Sequence, residues 1–95
     1  MSATIHLQQL GQVSAKPVHE FQPGDSMGFN CGYRQVVERI EPRGKMADVY
    51  FVGHSKPNRM KLSRMAAIAT EKWPFWNDEE ASAVEAWQTA HPKAK

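Results

Sequence analysis

A chain of 95 residues is one domain: it buries only about two-thirds of its unfolded surface, which leaves one modest core and no second lobe. Its 41% hydrophobic and 23% charged residues are ordinary for a globular domain. No apolar run approaches the roughly 18 residues of a membrane span, so no membrane partner is expected. The net charge of +2 demands no polyanion, and the single cysteine excludes an internal disulfide. With no basic start or apolar stretch of a signal peptide in MSATIHLQQLGQ, a cytoplasmic protein is expected.

Residues 4–10 alternate weakly, Ile5 and Leu7 against His6 and Gln8, and predict a short edge strand. Residues 11–20 read as an irregular connection. In FQPGD, Pro23 and Gly24 hold the second and third places of a type II turn: Pro presets φ and Gly supplies the positive φ. A strand over residues 26–30 follows, then a second tight turn at Asn30-Cys31-Gly32. YRQVVERIE is rich in strand formers, but Val36 and Val37 are both apolar, which predicts a bulge close by. EPRGK reads as a hairpin loop. ADVYFVGH, with four consecutive strand formers at 49–52, is the strongest strand and predicts cover on both faces. Val49, Phe51 and Ile40 are the expected core. SKPN turns the chain. RMKLS places Met60 and Leu62 inward and Arg59 and Lys61 outward, and RMAAIAT reads as a last short strand.

Five or six short antiparallel strands separated by turns make a mainly β barrel over residues 1–72. Residues 73–95 differ. KWPFW is an aromatic linker, and Asn77 caps a helix, with Glu80 three residues on to complete a capping box. Asp78 and Glu79 suit the helix N-terminus. Ala83, Val84 and Trp87 form one apolar stripe, which would dock on the barrel or on a partner. His91-Pro92 stops the helix, and 93–95 are expected to fray.

FQPGD, the glycine-containing turn, YRQVVERIEPRGKMADVYFV and the basic strand ending LSRMAAIA resemble small SH3-like barrels. More narrowly, they resemble short uncharacterised accessory proteins of tailed bacteriophages, over about residues 17–70. That resemblance implies an SH3-like barrel, from whose minimal form the C-terminal helix departs. It also implies a non-enzymatic module that binds peptides, proteins or nucleic acid.

Catalytic and metal signatures are weak. Cys31 has no base at motif spacing, and its expected role is that of a small residue in a turn. His6, His19, His54 and His91 form no zinc spacing. Gly24, Gly28 and Gly32 recur every four residues without the Lys-Ser/Thr of a phosphate loop. No catalytic residue, metal site or cofactor is expected. Two candidate surfaces remain. Residues 43–64 carry six bases against Asp48 alone, +5 over 22 residues, while Asp78–Glu85 carries four acids and no base. Arg43, Lys45, Arg59, Lys61 and Arg64 would form a nucleic-acid-binding patch if they converge, with Tyr33 or Tyr50 to stack on bases; the structural alternative is a solvated strand face that protects an edge. Trp73, Phe75, Trp76 and Trp87 would either close an open end of the barrel or face a protein partner, a second copy included.

Overall fold

The computed structural model describes residues 3–91, and for Cys31 the backbone alone. Seven antiparallel strands curl into a half-barrel in the order β1-β2-β7-β3-β4-β5-β6. They are β1 (Ala3–Leu7), β2 (Gly11–Pro17), β3 (Ser26–Gly28), β4 (Arg34–Arg43), β5 (Met46–Phe51), β6 (Asn58–Lys61) and β7 (Met65–Ile68); the helix is α1 (Asp78–Ala90). The count exceeds the expected five or six because residues 11–17, read as irregular, form β2. Its alternation is carried only by Val13 and Ala15, and β1 and β7 on its two sides supply its ladder.

The Pro-Gly turn is as predicted. Gly24 has φ +94°, and the amide of Asp25 donates to the carbonyl of Gln22 at 3.0 Å. The strand that follows stops at Gly28, short of residue 30, because Asn30–Gly32 closes into a single 3-10 turn. The 41–45 hairpin is tighter than expected: β4 runs through Pro42 to Arg43, and Gly44 and Lys45 alone turn the chain. Pro42 lies opposite Ala47, whose own amide and carbonyl turn toward β6 in this register, so the pair is a non-hydrogen-bonded one and the missing N–H of Pro42 costs no ladder bond.

β4 joins the two halves of the sheet. Its first residues pair with β3 and its later ones with β5, with a register shift between Val37 and Arg39 that leaves Glu38 as the bulged residue. Val36 and Val37 are both fully buried. Side chains alternate along a strand, so they face opposite ways. Val37 joins the barrel interior with Val18, Phe21, Met27, Val49 and Phe51. Val36 joins a second, outer cluster with Val52 of the β5 end and Val84 of α1, flanked by Phe75, Ala83 and Trp87. The helix therefore docks on its own barrel. The curl is completed by two backbone bonds from the 18–19 segment, Val18 N–H to Arg64 O at 2.9 Å and His19 N–H to Leu62 O at 3.1 Å.

Asn77 caps α1 as predicted, its side chain accepting from the Glu80 amide at 2.8 Å. The capping box does not close on the Asn77 amide. Glu80, buried on the barrel, turns instead to the amide of Trp76 and to the His54 ring. Residues 93–95 lie outside the described residues. No described helix is long and apolar enough to cross a membrane.

Phe51 is fully buried and meets Phe29 edge-on, with centroids 5.8 Å apart. Replacing Phe51 with Ala should cost about 3–5 kcal/mol, a large part of the roughly 5–15 kcal/mol that holds a domain folded. Denaturant unfolding of Phe51→Ala measures this; a midpoint equal to that of the parent would place β5 wrongly.

Candidate functional site

The ladder sets out the polar face of β4, β5 and β6 in rows. Opposite residues share a face, so Arg39 lies across from Tyr50, Glu41 from Asp48 and Asp48 from Arg59, and Arg43 from Met46 and Met46 from Lys61. Asp48, almost fully buried, is gripped from both sides: Arg43 Nε donates to Oδ2 at 2.6 Å and Arg59 Nε to Oδ1 at 3.2 Å. Those two bonds, Arg43's first, hold the Asp48 carboxyl below the usual carboxylate range, and the same bond raises the Arg43 guanidinium. Arg39 Nε donates to Glu41 and Nη1 to Glu38, both at 2.7 Å. Its guanidinium lies over the Tyr50 ring at 3.7 Å.

Three of the five cations read from the sequence, Arg43, Arg59 and Lys61, thus share this face, and Lys45 stands beside them at the exposed hairpin tip. Arg64 does not. It lies past the end of β6 and lines a small slot of about 100 Å³ with Met27, Met60 and Met65. Arg39, Glu38 and Glu41 were missed as parts of the patch. The Arg39-x-Glu41-x-Arg43 spacing puts all three on one strand face, and that spacing was the available signal. The result is a lattice of alternating signs, with Tyr50 covered by Arg39 on one side.

The four C-terminal aromatics do not form one cluster. Trp73 lies on Gly28, so closely that a Cβ there would stand 2.6 Å from its ring and would have to displace it. Phe75 carries the Arg34 guanidinium at 4.1 Å. Trp87 flanks the outer cluster and stacks on His91, centroids 4.7 Å apart. Trp76 is 68% exposed and meets the Tyr33 ring edge-on at 4.8 Å. Leu10, 41% exposed, approaches the same end: its Cδ2 is 3.6 Å from where a Cβ on Gly32 would stand, next to Tyr33.

Arg34 gave no signal in the sequence, and the structure makes it the clamp of the linker. Only 8% exposed, it donates from Nε to the Trp73 carbonyl and from Nη1 to Ser26 Oγ, each at 2.8 Å, and its amide donates to the Pro74 carbonyl at 3.0 Å. Burial lowers its pKa, and Glu71 opposes that shift. Arg34 also floors a cleft of about 400 Å³ between the end of α1 and the 24–26 turn, where Lys16 pairs with Asp25 at 3.0 Å and Trp87 and His91 form the opposite wall.

The histidines are dispersed. His6 lies on β1, His19 in the 3-10 turn after β2, His54 against Glu80 and His91 at the end of α1. Among the described residues no three metal-binding side chains gather. The Cys31 side chain, for which only a turn role was expected, lies outside the described residues. Compared with protein-family models, curated proteins and solved structures, the chain matches none of them.

Because the Asp48 carboxyl is held low in the folded state, its contribution to stability is complete above the unfolded carboxylate value of about 3.9 and is lost as pH falls through the lower folded value. Asp48→Asn should lower the melting temperature at neutral pH. Below about pH 4 the gap to the parent should narrow, because only the parent still loses this contribution. A constant gap between pH 7 and pH 3 in melting curves followed by circular dichroism would show that the Arg43–Asp48–Arg59 bridge does not act in the folded state.

Proposed function

We propose that this chain is a non-enzymatic binding module, a small accessory protein of the bacteriophage kind that it resembles, and that its partner is a protein of host or phage. The observation that supports this is the state of Trp76. A side chain of this size is exposed to water yet held: its ring rests on Tyr33, and its amide donates to Glu80 Oε2 at 3.2 Å. Glu80 is itself buried on the barrel. A preorganised aromatic loses little conformational entropy on binding, which is why Trp and Tyr dominate the energetic centres of interfaces. Leu10 extends the apolar surface at the same end. The partner such a surface fits has an apolar pocket for an indole.

The alternative, nucleic-acid binding through Arg43, Lys45, Arg59, Lys61 and Arg64, has less support. Glu38, Glu41 and Asp48 stand among those cations, where a phosphate backbone would meet repulsion as well as attraction.

Affinity capture from bacterial lysate, with and without nuclease, tests the reading. A protein recovered regardless of nuclease and lost with Trp76→Ala is the expected result. The variant should unfold within about 0.5 kcal/mol of the parent, since the side chain removed is mostly solvated. Recovery that depends on nuclease treatment and falls steeply with salt would favour the nucleic-acid reading. If Trp76→Ala abolishes a concentration-dependent melting temperature, the surface is a homodimer contact.

A further inference from the structure

Among the described residues, β6 is the terminal strand of the sheet and pairs with β5 alone. Which of its backbone groups are spent on that pairing follows from the ladder. The amide of Leu62 donates to the carbonyl of Lys45 at 2.9 Å, which makes 62 and 45 a hydrogen-bonded pair. In an antiparallel ladder such pairs alternate, so Met60 with Ala47 and Asn58 with Val49 are the next ones in register. Arg59 and Lys61 then turn their amides and carbonyls away from β5. Lys61 O is taken by the Arg64 amide at 3.0 Å. Among the described residues, no backbone group meets the amide or carbonyl of Arg59 or the amide of Lys61.

The side chains on this edge are equally ordered. Arg59 and Lys61 stand on the polar face, and Met60 between them points inward to the slot that it lines with Ile5, Leu7, Met27 and Met65. A strand laid antiparallel along β6 would exchange two hydrogen bonds with Arg59 and accept one from Lys61. Residues opposite each other share a face. The two partner residues across from Arg59 and Lys61 would therefore lie beside those cations, and the residue between them would lie beside Met60.

We infer that the outer edge of β6 captures an extended peptide segment of a partner by strand addition, antiparallel, with the local pattern acidic–apolar–acidic. The acidic side chains pair with Arg59 and Lys61, and the apolar one enters the mouth of the methionine-lined slot. Backbone bonds give affinity in this mode and alternate side chains give selectivity. A nucleic acid suits this edge less well, because it has no backbone amides and carbonyls in strand register. The inference shares with the preceding reading only the premise of a protein partner. It concerns β6, and the Trp76 end is not involved.

The test uses the intact chain and two capped pentapeptides, acetyl-TELET-amide and acetyl-TKLKT-amide, with an oligothymidylate of about twelve nucleotides as the polyanion control. Backbone amide spectra and amide exchange rates are followed during titration. The acidic peptide should shift the Arg59, Met60 and Lys61 amides and slow exchange at Arg59 and Lys61; the basic peptide should not. Lys61→Glu, a change at an exposed residue that makes no ion pair among the described residues, should weaken the acidic peptide at least about three-fold and bring the basic one closer to it. Unprotected Arg59 and Lys61 amides at millimolar acidic peptide would overturn the inference. Equal response to both peptides, or response to the oligonucleotide in place of the acidic peptide, would overturn it as well. A Trp76→Ala variant that binds the peptide normally but loses its captured protein separates the two surfaces.

Discussion

The rest of this structure depends on the burial of two adjacent residues of one strand. A strand sends neighbouring side chains to opposite faces, so Val36 and Val37 cannot share a core. Both are nevertheless fully removed from water, and β4 must be covered on both sides where they lie. The barrel interior covers Val37. Nothing in a minimal curled sheet covers Val36, and α1 meets that need by laying Val84 across Val36 and Val52. Burying an aliphatic side chain of this size is worth about 1.5–3 kcal/mol. The dependence runs both ways, because a helix of 13 residues is marginal alone in water. The bulge at Glu38 belongs to the same constraint. It advances the register by one residue, so β4 can leave the β3 half of the sheet and enter the β5 half.

The opposite stretch of that outer surface is covered by different chemistry. Along β5 the inward residues Ala47, Val49 and Phe51 alternate with Asp48, Tyr50 and Val52. Val52 lies under the helix, Tyr50 under the Arg39 guanidinium, and Asp48 between Arg43 and Arg59. Long cationic side chains carry apolar stems that shield such a face while their heads stay wet. The basic middle of the sequence is thus first a roof over β5. Its charge is partly cancelled in place: Arg43 and Arg59 are paired with Asp48, while Lys45 and Lys61 on its margin make no ion pair among the described residues.

What was legible in the sequence follows the reach of each signal. Local backbone rules were legible: Pro23-Gly24 set a turn, Asn77 set a cap, and two adjacent valines announced a bulge. These depend on residues within four positions of one another. The faces of β5 and β6 were legible too, since alternation is a local pattern. β2 was not, because a strand with little apolar side chain takes its stability from its neighbours in the ladder, here β1 and β7. Glu80 was read half correctly. Its position in the capping box was visible, but its recruitment by His54, 26 residues away, was not. Of the candidate surfaces, the sequence showed the cations and the aromatics. It did not show that acids stand among the former or that the latter separate in three directions. Arg34 lay beyond any local pattern, since its partners at Trp73 and Pro74 are some 39 residues distant or more.

The half-barrel closes unevenly, and that asymmetry bears on recognition. On one side the 18–19 segment reaches across and takes the carbonyls of Leu62 and Arg64, so the chain just past β6 is already stitched to the start of the barrel. Just before, the same strand turns the amide and carbonyl of Arg59 and the amide of Lys61 outward, with no backbone partner among the described residues. An unpaired edge is a hazard, and cationic side chains are a usual protection because they repel a second copy of themselves. The same charges do not repel an acidic segment. A lysine and an arginine two residues apart therefore exclude self-pairing and select a partner by one electrostatic rule. The methionine between them adds an adaptable apolar contact. Trp76, by contrast, stands on the helix side, where its position depends on Glu80 and Tyr33. The helix that covers Val36 thereby also fixes the most exposed aromatic of the chain, so the element that stabilises the fold is the one that presents its surface.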